Sequence, residues 1–373
     1  MIQKNTLPTA KKGTPKISVT TATYNRAHLL PVAIDSILKQ TLTDWELIIV
    51  DDASTDNTPE VARRFTQQDP RIRYHRHQRN SGIATARNTS IKLAQGTYIA
   101  LQDDDDISLP QRLQKQAEFL DENPHIHLVS SWLQYFTKNK RRNKRRNKRQ
   151  NRRQNRRMCQ TFKADWSSQP CSLRQPYPPY KMPLPGGCIM GHKYVFDSLP
   201  MRPFFRLAED YDFILRCIDT YAISHIPEIL YLCRLADAKH KTLSTDSSTT
   251  FNMWCYHLAA WISAYSRSLS RHDPVEQHTD VSTLLRDTAP LFQNIPREPQ
   301  KHLLRNLGRR CLHHALRHRD AHSFQETLDV LSILSSKEHM LAITPKVLFA
   351  CLRRGCVGFI SPFITTLLTE KPS

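Results

Sequence analysis

Thr97-Tyr-Ile-Ala-Leu-Gln-Asp-Asp-Asp-Asp-Ile-Ser-Leu-Pro110 is an apolar run that ends in four consecutive carboxylates, Asp103 to Asp106. The run reads as a buried strand, and the carboxylates stand where that strand delivers its end to solvent. Like charges packed this closely repel each other, and a chain gains little from them unless a cation or a hydrogen-bond network compensates. Two readings follow: a place to hold a divalent metal, or a solvated acidic loop with Asp106 capping a helix.

The preceding residues show how such a turn is reached. Ile17-Ser-Val-Thr20 reads as a strand, Leu29, Leu30, Ala33, Ile34, Ile37 and Leu38 recur at helical spacing, and Glu46-Leu-Ile-Ile-Val50 is a buried strand. After the polar turn Asp51-Asp-Ala-Ser-Thr-Asp56, the spacing predicts a helix over Pro59 to Phe65, a strand over Arg71 to His75, a helix over Ile83 to Leu93 and a strand over Thr97 to Leu101. This β-α-β alternation predicts a mostly parallel sheet with helices on both faces, where ligands gather at the carboxyl ends of the strands. Thr23-Tyr24-Asn25, Asp51-Asp52 and Asp103 to Asp106 occupy three such ends and converge on one crevice. No G-x-G-x-x-G or Walker pattern is present, so a metal on the carboxylates is the natural substitute for a glycine-rich phosphate cradle.

Composition narrows the class. With 39% apolar residues in 373, the chain can bury a sizeable core. Its formal charge is +20, but residues 138–157 hold thirteen Lys and Arg and no acid, so the basicity is local. That tract has Asn at every fourth position from 139 to 155 and no apolar side chain, and such a sequence cannot pack. A contact with anionic membrane lipid, RNA binding, or a repeat expansion without a dedicated partner are its readings; the absence of interleaved aromatics argues against a dedicated nucleic-acid partner. Nine widely spaced cysteines without a C-x-x-C suggest neither a zinc site nor a disulfide framework. The polar N-terminus and the lack of a long apolar stretch lead to the expectation of a cytoplasmic protein, peripheral to a membrane at most. Beyond about residue 250 the pattern is helical without strands, as in Met253 to Ser268, His302 to His318 and Ser323 to Leu334, and the apolar stretch 347–368, broken by Arg353, Arg354 and Pro362, reads either as a terminal helix pair that packs or as a segment lying on a membrane surface.

Taken in order, Ile17-Ser-Val-Thr-Thr-Ala-Thr-Tyr-Asn-Arg26, Gln40-Thr41, Glu46 to Asp56, Asn80-x-Gly82 and Ala86-Arg87-Asn88 make the chain resemble the family 2 glycosyltransferases of GT-A fold. The resemblance resumes at Gly186 to Arg216 and at Ile226 to Tyr231 with Arg234, and leaves the helical tail uncovered. It implies an α/β fold with a Rossmann-like mixed, mostly parallel sheet and a C-terminal helical module. By this reading residues 1–15 are a tail, 16–137 the nucleotide-sugar-binding half, 138–157 a basic insertion, 158–249 the acceptor half, and 250–373 the helical module.

The resemblance also implies an activity: inverting transfer of a sugar from a nucleoside-diphosphate sugar to a hydroxyl of a glycan, lipid-linked glycan or protein, with Mn2+ or Mg2+. Asp103 and Asp105 then belong to the metal and diphosphate, Asp103 and Asp104 also to the donor, and Asp210 of the Glu209-Asp210 pair to proton abstraction. Thr23, Tyr24, Asn25 and Asp51 or Asp52 face the nucleoside. Arg87 braces the diphosphate or makes a structural ion pair with the acidic turn, and His240 is a further metal or phosphate contact or an exposed histidine. The chemistry agrees: a departing diphosphate calls for a hard cation on oxygen ligands, and an acceptor hydroxyl calls for one carboxylate base. Ala22 in place of the usual proline, Asp104 in a usually neutral spacer, and no Q-x-x-R-W depart from the family pattern. The last speaks against a processive polymerase. A different class, a non-catalytic protein that uses the basic repeat to bind anionic surfaces or nucleic acid, is the alternative.

Overall fold

The computed structural model describes residues 13–136, 161–162, 186–235, 247–269 and 272–293, with Gln325 and Thr327. The basic tract, His240 and the expected helices after residue 300 lie outside the described residues. Two compact units divide the chain. The first comprises Met1–Arg174, Pro183–Pro203 and Arg216–Leu235; the second comprises Gln175–Met182, Phe204–Leu215 and Ala236–Ser373.

The first unit is built on one mixed sheet. Its strands are β1 (Ile17–Thr23), β2 (Trp45–Asp51), β3 (Ile72–Arg76), β4 (Tyr98–Leu101), β5 (Ile107–Ser108), β6 (Leu128–Phe136), β7 (Thr161–Phe162), β8 (Met190–His192) and β9 (Ile223–Arg234), in the order β3-β2-β1-β4-β8-β6-β9-β5, with β7 beside β6. The pairings β3-β2, β2-β1, β1-β4 and β6-β9 are parallel, and β8 runs antiparallel to both β4 and β6. The carboxyl ends of β1, β2, β4, β6 and β9 therefore share one end of the sheet.

Sequence explains the parallel half. Every residue of β2 and all but Ala22 of β1 are buried, as strands covered on both faces must be. The helices α1 (Leu30–Leu38), α2 (Thr58–Gln68) and α3 (Ile83–Leu93) cross over between them. In α1 the buried Leu30, Ala33, Ile34 and Ile37 keep helical spacing, with a proline in the first turn where its missing N–H costs nothing. The helix α4 (Arg112–Glu122) buries Leu113, Ala117 and Leu120 on the same face as Arg112 and Gln116. β3 is the edge, and its Arg73, His75 and Arg76 leave it charged toward solvent, which blunts edge-to-edge pairing. Gln40 joins α1 to α4: its Nε2 donates to Leu109 O (2.9 Å) and Ser36 O (3.0 Å), and its Oε1 accepts from Leu113 N (3.0 Å).

The helix α5 (Lys193–Ser198) follows β8, and α6 (Glu209–Thr220) precedes β9. In the second unit, α7 (Ser247–Ser268) buries Cys255, Leu258, Ala259, Trp261 and Ile262, followed by α8 (Val281–Asp287) and α9 (Ala289–Gln293). Asp273 and Asp280 cap the turn and the helix that follow them by accepting from Val275 N and Thr283 N.

At the end of β8, His192 is 3% exposed, stacks on Tyr194, and has no hydrogen-bond partner for Nε2 among the described residues. Burial depresses its pKa to about 4, aided by repulsion from His127. The unfolded chain takes up this proton near pH 6.5 and the native state only near 4, so the neutral ring's contribution is complete above pH 6.5 and is lost as pH falls toward 4. A separation of that size between the two states corresponds to at most about 3 kcal/mol of stability. Denaturant unfolding at pH 7, 5.5 and 4.5 should show a shallower acid loss for His192→Phe than for the unsubstituted chain; parallel curves would contradict this account.

Candidate active site

Two loops at the carboxyl end of the sheet are laced together. The side chain of Asn25, after β1, accepts from Thr55 N (2.7 Å) and Asp56 N (3.3 Å) after β2. In return, Asn25 N donates to Ser54 Oγ (2.9 Å) and Arg26 N to Thr58 Oγ1 (2.9 Å). Asn25 is thus a brace between loops. Tyr24 beside it is 44% exposed, an open aromatic face at the rim.

Asp51 and Asp52 are turned inward. Asp51 has no exposed surface; it accepts from Ser54 N (2.8 Å) and the Tyr74 hydroxyl (2.7 Å), with Arg76 Nε 3.6 Å away. Asp52 accepts from Ser81 N (2.9 Å) and Gly82 N (2.7 Å) and pairs with His77 Nδ1 (2.8 Å). It therefore holds the start of α3, where Gly82 sits at φ +87°, a left-handed value that disfavours any side chain. Asp51 is thus wholly covered, and Asp52 spends its oxygens largely on backbone donors.

The acidic turn follows β4. Asp103 is paired with Arg87 Nη2 (2.6 Å), so the ion-pair reading of Arg87 holds in this structure. Asp103 N donates to the Tyr231 hydroxyl (3.1 Å), and a Cβ on Gly187 would collide with Asp103 Oδ2 and stand 3.0 Å from that hydroxyl. Arg26 Nε stands 4.0 Å from Asp104. Burial, then the neighbouring Asp105, raises the Asp104 pKa to about 7, against the pull of Thr23 and Arg26. Burial and Asp103 raise that of Asp105, which Arg26 and Arg234 oppose. Asp106 is raised well above the usual carboxylate range, again by burial first. It does not cap α4, which begins at Arg112; instead its Oδ1 accepts from Arg234 N (2.7 Å), while Arg234 Nε donates to Asp105 O (2.7 Å).

Beneath the turn lies Arg112, 0% exposed. Its Nη2 donates to Leu101 O (2.7 Å) and Ile189 O (3.5 Å), Nη1 to Ser108 Oγ (2.8 Å) and Gln102 Oε1 (3.3 Å), and Nε to Gln116 Oε1 (3.0 Å). The Tyr231 ring packs against this guanidinium at 4.9 Å. Sequence reasoning misses Arg112, Gln102, Tyr231 and Arg26 as site residues. The visible signal is an apolar helix face interrupted at i and i+4 by Arg112 and Gln116.

Glu209 and Asp210 open α6 and belong to the second unit. Glu209 is buried, whereas Asp210 is half-exposed. The carboxylates brought together within the first unit are those of the acidic turn, with Arg26, Arg87 and Arg234 around them.

A resident cation fits the turn. Its oxygens are hard donors, and burial first, then the neighbouring carboxylates, holds Asp104, Asp105 and Asp106 above the usual carboxylate range. Among the described residues no three His, Cys, Asp or Glu side chains form a metal cage. An ion held by one or two carboxylates, with substrate phosphates and water completing its shell, does not require such a cage.

Residues 18–197 match the family described as Glycosyl transferase family 2. An uncharacterized glycosyltransferase of Methanocaldococcus jannaschii is 39% identical over 127 residues, 34% of this chain and 44% of that protein. TuaG of Bacillus subtilis, which bears the name of a teichuronic acid biosynthesis glycosyltransferase, is 41% identical over 106 residues, 28% of this chain and 42% of that protein. The chain thus spans under half the length of the curated relatives it matches. The crystal structure of S. aureus TarS 1-349 in complex with UDP-GlcNAc superposes with a TM-score of 0.50 at 16% identity, over 94% of this chain and 90% of that one. This likeness concerns the fold, and the mixed sheet with its flanking helices is of GT-A type.

One backbone feature of the site is strained. Ala53, between the two laced loops, has φ +65°, where a Cβ costs roughly 1 kcal/mol. Ala53→Gly should raise the denaturation midpoint, or leave it unchanged if the extra freedom of unfolded glycine cancels the gain. A loss above about 1 kcal/mol in denaturant unfolding would show that the conformation is not strained.

Proposed function

We propose, from the match of residues 18–197 to Glycosyl transferase family 2, that the chain transfers a sugar from a nucleoside-diphosphate sugar to a hydroxyl acceptor, with inversion. The observation that carries this reading is the turn Asp103 to Asp106 at the carboxyl end of β4, next to β1, whose own carboxyl end leads into the Asn25 loop laced to the Ser54–Asp56 loop after β2. The name borne by TuaG favours an acceptor in surface polysaccharide assembly.

Donor binding falls to the first unit. Tyr24, exposed at the rim, stacks on the base, while Asp51 and Asp52 fix the wall behind it through Ser54, Ser81 and Gly82. Asp103 and Asp105 would hold a Mn2+ or Mg2+ ion, which when bound supplies Lewis-acid neutralisation of the diphosphate. Arg87 keeps Asp103 oriented and adds positive charge near the departing group. Asp104 shapes the floor with Thr23 and Arg26.

Asp210 is the general base, because it is the accessible member of its pair. A carboxylate that accepts the acceptor hydroxyl's proton during direct displacement at the anomeric carbon contributes roughly 10²- to 10⁴-fold. The basic tract starts two residues beyond Phe136, at the carboxyl end of β6, and the chain re-enters the sheet at β7. β6 itself ends at the same end of the sheet as the acidic turn, and the thirteen Lys and Arg that follow in sequence suit an anionic acceptor or membrane surface.

Thermal melts against UDP-, GDP- and dTDP-sugars with Mn2+, Mg2+ or EDTA test this first, since a ligand selective for the native state raises the midpoint. A metal-dependent shift with one donor class is expected; none with any donor would overturn the reading. Asp105→Asn should then abolish metal-dependent turnover with the fold intact by circular dichroism. Asp210→Asn should lower kcat by about 10²-fold or more with little change in donor KM. A change confined to KM would remove Asp210 as base.

A further inference from the structure

Among the described residues, Arg112 is a buried cation with no carboxylate in hydrogen-bond contact. A guanidinium has five N–H donors, and here all five have acceptors, each of them neutral: Leu101 O, Ile189 O, Ser108 Oγ, Gln102 Oε1 and Gln116 Oε1. Burying a charge without an ionic partner is costly, so a helix that needed only packing at this position would hold an apolar residue. The partners suggest a different reason. We infer that Arg112 is a positioning residue that sets the shape of the acidic turn by fixing the amide orientation of Gln102 and Gln116. This inference deepens the proposed function and rests on it for the turn's ligand.

The geometry runs through two arms. Arg112 and Ser108 both donate to Gln102 Oε1 (3.3 and 2.6 Å), so the amide nitrogen of Gln102 must face the other way. There it donates to Asp103 O (2.9 Å) and Asp106 O (3.3 Å), drawing the two ends of the turn together. On the second arm, Arg112 donates to Gln116 Oε1, which leaves Gln116 Nε2 to donate to Cys188 O (2.8 Å). Cys188 follows Gly187, whose backbone lies against Asp103 Oδ2. One side chain thus holds both the turn and the segment that walls its first carboxylate. The Tyr231 ring on the same guanidinium places its hydroxyl at Asp103 N. Lysine could preserve the charge but not this planar fork.

Gln102→Glu separates positioning from folding. It keeps the volume and gives Arg112 a carboxylate partner, yet removes the donor that binds Asp103 O and Asp106 O. Arg112→Lys is the companion variant. Hydrogen exchange of the peptide spanning 99–108 should accelerate at least tenfold in both, while β1 and β2 peptides keep their protection and the melting points stay close to that of the unsubstituted protein. Mn2+ affinity, read from free Mn2+ by electron paramagnetic resonance with UDP or GDP present, should fall at least tenfold. Unchanged turn exchange in folded variants, or Mn2+ binding as tight or tighter in Gln102→Glu, would overturn the positioning role. If the unsubstituted protein binds no Mn2+ with either nucleotide, the metal reading of the site fails, and the exchange measurement still decides the role of Arg112.

Discussion

Four carboxylates on one turn set the problem that the surrounding structure solves. Two unit charges about 4 Å apart repel by roughly 4 kcal/mol at the effective dielectric of a protein surface. The turn Asp103 to Asp106 is sunk far enough that burial adds to this cost at Asp104, Asp105 and Asp106. The cations that oppose it come from different parts of the chain: Arg26 after β1, Arg87 in α3, Arg112 in α4 and Arg234 at the end of β9. No local segment can assemble that set. The turn therefore acquires its shape only once the parallel strands, α4 and β9 are all in place.

The parallel half of the fold was legible because its strands and helices carry their own periodicity. Ile83 to Leu93 is a helix with the expected ends, and the strand expected over Glu46 to Val50 extends by one residue on each side. The other half was less so. β5 has two residues and β8 three, too short to register as a pattern, and they exist because β9, β4 and β6 offer them partners. For the same reason the boundary between compact units was not visible. The second unit takes Phe204–Leu215 out of the middle of a segment that reads continuously with β9.

The site shows a similar division. Clusters of like residues at strand ends announced Asp51, Asp52 and the acidic turn, but residue type could not separate carboxylates that face a crevice from those that hold a loop. The extensive backbone bonding of Asp52 and the complete burial of Asp51 depend on where Ser54, Ser81 and Gly82 bring their N–H groups. Arg112 was hidden for another reason. Arginine in the first turn of a helix ordinarily faces solvent, and here three separate stretches of sequence, Leu101-Gln102, Ile189 and Tyr231, surround it.

The division of labour between neutral and charged groups bears on what the turn can bind. Its backbone is fastened by neutral side chains: Tyr231 at Asp103 N, and the Gln102 amide at Asp103 O and Asp106 O. The one charged anchor on a turn carbonyl, Arg234 Nε at Asp105 O, leaves the Asp105 carboxylate unspent. Had the same rigidity been achieved by direct ion pairs at every carboxylate, each would have traded its affinity for a cation against an internal arginine. Long-range compensation lowers the cost of the charge without occupying the oxygens, because Coulomb attraction acts beyond contact whereas a hydrogen bond consumes a lone pair. Asp103 spends one oxygen on Arg87 and Asp106 one on Arg234 N; a turn otherwise held through its main chain leaves the remaining carboxylate oxygens as acceptors for a hard cation, which is how the proposed metal role would differ from a solvated acidic loop.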